Sequence, residues 1–251
     1  MDLYPLNLVL AVTVGSATLF FGYLPIRRLE AEFFLRQILR FGAGWLAVAA
    51  CSPPEILHYD LLLALLCFIA WWRLRAGHGF SGKIWFCAAA GLGISLGPVL
   101  ILAVRTDAPP GPLLFHLVLL YLGGSISGLA WVLYIFTRPA ASEAGVSVAA
   151  LPSLLLGFTL LRAATFFLTL LGQPPMNPGG SALLSAPEIL LNLQPIALGL
   201  FLFVILLVLP CLAAWARKRC RSPRPSTAGA ILLAVGILAF GSECLACWFG
   251  V

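Results

Sequence analysis

The sequence predicts an all-α, polytopic transmembrane helix bundle of about eight spans, forming one integral membrane domain over residues 1–251. Three observations carry that prediction. Apolar residues make up 61% of the positions and charged ones 10%, where a soluble domain carries about 45–50% and roughly 25%. The apolar residues stand in long unbroken runs, which a closed β-barrel with its alternating strands does not contain. The basic residues gather between alternate runs, as they do in chains that cross a bilayer repeatedly. Eight helices of about 20 residues use roughly 160 residues, so no separate soluble domain is left.

The runs lie at Leu3–Ile26, Glu32–Cys51, Ile56–Trp72, Ile84–Val104, Leu113–Phe136, Val148–Leu171, Pro195–Ala216 and Ala230–Val251. The first follows Met1-Asp2 with no basic segment and ends at Pro25-Ile26-Arg27-Arg28 without a small-residue cleavage site. It therefore reads as a retained span and not as a signal peptide. The second contains Arg36 and Arg40, four apart and so on one helix face, from which both can snorkel to the boundary. Glu32, four residues before Arg36, is placed to pair with it. The third is short, near the lower limit for spanning. The fourth and fifth carry Gly93/Gly97 and Gly124/Gly128, the small-residue spacing that lets a neighbouring backbone approach closely. The longest stretch between runs, 172–194, is rich in Pro, Gly and Asn and reads as a connector or a cap over the bundle.

Charge placement sets the count. With eight spans, all of the 15 basic residues except Arg105 and Arg162 fall on one side. Short loops rich in Lys and Arg stay cytoplasmic, so both termini are expected outside the cytoplasm. Removing the second span would split the basic clusters between the two sides. The formal charge of +6 invites an anionic partner. Its main cluster, Arg217–Arg224, lies between two spans and is explained by topology alone, so no nucleic-acid partner is expected. The chain shows no convincing internal repeat.

Ionisable groups inside a membrane are costly and therefore informative. Arg162 and Glu243 fall at similar depth in the sixth and eighth runs with opposite charge, and are expected to face the bundle interior within reach of each other. The plain reading is a structural pair that fixes helix docking; the functional one is a role with protons, quinol or an anionic substrate. His58, with Asp60 two residues on, and His116 fall near one outer level. Two imidazoles could ligate a haem iron, but neither stands in mid-helix, so haem is not expected. Interfacial anchoring, or proton acceptance by His116 beside a quinol, are the other readings. Cys244 and Cys247 form a CxxC in the last run, with Cys51 on the same side. A lone CxxC in an apolar helix is a weak redox signal, and zinc would need two further ligands. No metal site and no catalytic residue is assigned.

The last run, from Ser226-Thr227-Ala228-Gly229-Ala230 to Gly241-Ser242-Glu243, resembles the terminal helix of bacterial multi-pass membrane proteins without an assigned role. The chain also resembles the haem-free, quinol-interacting membrane anchors of the polysulfide- and DMSO-reductase type. That resemblance implies a bacterial inner-membrane location, quinol as the ligand and an extrinsic redox subunit as the partner. Its specific part is confined to a small fraction of the chain, and no site residue is carried over from it. The expected function is accordingly a quinol-interacting or structural membrane subunit of a respiratory-type complex, not an enzyme by itself. A small-molecule permease built on Arg162 and Glu243, and a membrane scaffold without a ligand, are the alternatives.

Overall fold

Apolar runs bounded by proline, glycine and charge become helices, and the computed structural model describes these in residues 4–22, 31–95, 110–137, 150–171, 203–220 and 226–249. They are α1 (Tyr4–Gly22), α2 (Ala31–Cys51), α3 (Pro54–Arg75), α4 (Gly79–Ser95), α5 (Pro110–Phe136), α6 (Leu151–Leu171), α7 (Leu209–Cys220) and α8 (Ser226–Phe249). A π-wound segment, Val204–Val208, leads directly into α7. No strand occurs among the described residues. Three stretches are long and apolar enough to cross a membrane: Pro54–Arg75, Leu117–Phe136 and Ala228–Leu245. Leu6–Gly22, Phe80–Ile94 and Leu151–Thr165 are apolar but shorter within the described residues.

Local chemistry sets the ends. Pro54 opens α3 at the first helical position, where its missing N–H costs nothing. Gly77, at φ +83°, closes α3: its N–H donates to Leu74 O at 3.1 Å and that of His78 to Arg73 O at 2.9 Å. This paired ending needs a left-handed residue, hence glycine. The chain re-enters a helix at once, so α4 starts at Gly79 and not at Ile84 as the hydropathy predicts. Likewise α7 runs on through Arg217, Lys218 and Arg219, residues the sequence reading leaves in the connection. Arg and Lys are good helix formers and favourable beside the C-terminal carbonyls.

Helices α1 to α4 pack as a closed ring, each against the next and α4 back onto α1; α5 to α8 do the same. The rings join where α1 packs on α5 and α8. The sequence shows no repeat, yet the packing order does repeat, four helices by four. Asn7 meets Val48 and Ser52 while Phe21 meets Phe34, so α1 and α2 are antiparallel. Val12 lies by Gly124 and Ala17 by Gly128, so α1 and α5 are parallel. The predicted Gly124/Gly128 groove is filled by α1: a Cβ on Gly128 would lie 2.7 Å from Ala17 N, and Ser16 Oγ is 3.4 Å from Ser125 Oγ. Gly93 makes room for the fully buried Trp45 ring, 2.3 Å from a Cβ there; Gly97 lies outside the described residues. Phe21 stacks among Phe34, Phe41, Phe86 and Phe136 with centroids 5.0–6.2 Å apart. This aromatic knot ties both rings together at the end bearing Arg36, Arg40, Arg73, Arg75 and Lys83, called the basic end below.

Candidate functional site

Arg162 of α6 and Glu243 of α8 meet inside the second ring. The guanidinium grips the carboxylate with two donors, Nε to Oε1 at 2.8 Å and Nη2 to Oε2 at 3.2 Å. The two side chains are 2% and 4% exposed. The contact expected from depth and charge is therefore present, as a fork-on-fork pair. Sequence reasoning missed the residue that admits it. A Cβ on Gly123 of α5 would fall 2.0 Å from Glu243 Cδ, so only glycine leaves room for the carboxylate between α5 and α8. Its signal is visible afterwards in the run Gly123-Gly124-Ser125-Ile126-Ser127-Gly128. Ser242 and Thr159, near the pair in sequence, bond back to Ala239 O and Leu156 O on their own helices, both within 2.9 Å. They satisfy their hydroxyls locally. The pair has the geometry of an internal clasp between α6 and α8, almost wholly buried.

A second polar cluster lies in the first ring, at the end opposite the basic one. Asp60 of α3 and Asn7 of α1 are each 0% exposed. Asn7 Nδ2 donates to Ser52 Oγ at 2.8 Å and to Val48 O at 3.1 Å. The Ser52 hydroxyl lies within hydrogen-bond reach of Asp60 Oδ2 and of Val48 O, the latter at 2.9 Å. Tyr59 donates its phenol to Leu92 O at 2.5 Å and Tyr121 donates to Ile94 O, closing the end of α4. Of these residues only Asp60 was singled out from the sequence. Asn7 and Ser52 were legible as polar residues within or beside apolar runs.

The remaining candidates scatter. His58 is exposed; two residues from Asp60 on a helix is about 200° of rotation, so the imidazole lies on the other side of α3. It does not join the Asp60 cluster. His116 falls in α5, but its side chain is outside the described residues, as are those of Cys247 and Arg105. Cys244 and Cys51 are half-buried free thiols on different helices. Arg36 and Arg40 are exposed near the start of α2, and Arg36 pairs with Glu32 at 2.9 Å as expected. Among the described residues no group of three His, Cys, Asp or Glu could hold a metal.

One groove opens on the side of the bundle. It holds about 220 Å³ and is lined by Thr13 of α1, by Ser127, Trp131 and Tyr134 of α5, and by Gly236, Ile237 and Phe240 of α8 among others. Trp131 and Ile237 at its lip are exposed. The Thr13 hydroxyl is buried and has no hydrogen-bond partner. The groove is apolar and lies toward the basic end, where α5 finishes and α8 begins. Glu243 follows Phe240 by three residues, so the ion pair sits roughly 5 Å further along α8. No known protein family, no curated protein and no solved structure matches the chain.

Proposed function

We propose that this chain is an eight-span membrane protein with both termini outside the cytoplasm, acting as the cofactor-free membrane subunit of a respiratory-type complex that engages a quinol-class ligand. The observation that carries the ligand class is the groove between α1, α5 and α8. Its exposed lip would face hydrocarbon, from which a ring on an isoprenoid tail can enter sideways. Trp131, Tyr134 and Phe240 provide aromatic walls for such a ring. The permease alternative draws less support, because its two charges hold each other in a closed, buried pair. Antiparallel neighbours and the gathering of basic residues at one end support the span count.

The test is extraction. Protein purified in mild detergent is expected to release a quinone into organic solvent, to show no haem band, and to bring an extrinsic redox subunit with it. Gly236→Phe should fill the groove and abolish the extracted quinone in protein that unfolds at the wild-type temperature. Quinone retained undiminished in that variant would refute the groove as its site.

A further inference from the structure

We propose that Asp60, Ser52 and Asn7 form an intramembrane proton-binding site, independent of whatever occupies the groove. Ser52 Oγ has three neighbours: Asn7 Nδ2, which only donates; Val48 O, which only accepts; and Asp60 Oδ2. A hydroxyl has one hydrogen to give. When Asp60 is ionised, Ser52 gives that hydrogen to the carboxylate, and Val48 O is held by Asn7 alone. When a proton binds, the acid donates to Ser52 Oγ, and the hydroxyl turns to Val48 O. The heavy atoms already suit both states, so one rotation of the Ser52 hydroxyl accompanies each proton.

Two further observations weigh against a lasting negative charge on Asp60. Its Oδ1 is a fully buried acceptor without a hydrogen-bond partner, so the ionised carboxylate would be held by the Ser52 hydroxyl alone. Among the described residues no cationic side chain makes an ion pair with Asp60, in contrast to Glu243. A carboxylate at 0% exposure with no counter-charge is far too costly to persist within a bilayer. The titratable groups around it are few. Tyr59 is adjacent on α3, with its phenol committed to Leu92 O, and Tyr121 of α5 is committed to Ile94 O. Cys51 precedes Ser52 on α2, and Glu55 and His58 are exposed on α3. The described side chains of α1 and α4 at this level bring none. The proton comes from the aqueous phase at the end opposite the basic one and returns to it. No bond other than O–H forms or breaks.

Dicyclohexylcarbodiimide, an apolar reagent that adds to protonated carboxyls within membranes, tests this on the full chain in liposomes. Peptide mass spectrometry is expected to find the adduct on Asp60 and none on Glu243. The carbonyl infrared band of a protonated acid should accompany it. Both should fade as pH rises, and both should vanish in Asp60→Asn. Ser52→Ala removes the donor that stabilises the carboxylate, so adduct and band should persist to higher pH; a purely structural serine would leave the pH profile unmoved. Absence of both signals at every pH from mildly acid to mildly alkaline would overturn the proposal. So would suppression of the adduct by sodium at constant pH, which would make the cluster a metal-cation site.

Discussion

Arg162 and Glu243 are buried charges of opposite sign, and each stabilises the other. Removing either member of the Arg162–Glu243 pair strands the other, at a cost of about 3–5 kcal/mol. Glu243→Gln and Arg162→Met should therefore each lower the unfolding temperature in detergent sharply. The double variant Arg162→Met/Glu243→Met should recover most of the loss, because a buried pair exchanged for apolar side chains is close to neutral. A double variant worse than either single one would contradict the clasp. Gly123→Ala forces its methyl onto the Glu243 carboxylate and should cost about 1–3 kcal/mol, the usual penalty for overpacking. Depth and charge sufficed to pair Arg162 with Glu243 from the sequence, since both are charges of opposite sign at matched positions within apolar runs. Gly123, Asn7 and Ser52 were not legible in the same way. Their importance comes from which helices become neighbours, and that is a property of packing.

At the scale of helices, small residues decide where backbones approach. A Cβ at Gly128 meets α1 backbone at 2.7 and 2.8 Å, whereas Gly157 and Gly241 have nothing within 4 Å. Gly128→Ala should separate α1 from α5 and lower stability. Gly157→Ala and Gly241→Ala should be neutral or gain up to about 1 kcal/mol from helix propensity. Unfolding midpoints of the three variants, compared side by side, check this; a Gly128→Ala as stable as the wild type would place the ring junction elsewhere. The run that became α2 was read at Glu32–Cys51 and found at Ala31–Cys51, because Arg36 and Arg40 sit on an exposed face near its start. Helix ends at charged residues were harder. Hydropathy stops at the last apolar side chain, while the backbone of α3 continues to Arg75 and that of α7 to Cys220. Long basic side chains are at home in a final helical turn.

For the molecule as a whole, the two four-helix rings place one buried polar cluster in each, with the groove at their junction. The ring order was invisible in the sequence because it lies in contacts and not in residue identity. The all-helical class was plain from composition, since little else can be built from runs so apolar. The proposed roles of the lateral groove, the clasp and the Asp60 site all rest on the proposal that eight helices cross a bilayer with the basic end in the cytoplasm. Paired reporters measure this directly: alkaline phosphatase, which is active only outside, and green fluorescent protein, which matures only inside, each fused after Val251 and in the 221–225 connection. The expected result is phosphatase activity without fluorescence after Val251, and fluorescence without phosphatase activity in the connection. Fluorescence after Val251, or phosphatase activity in the basic connection, would contradict the eight-span orientation.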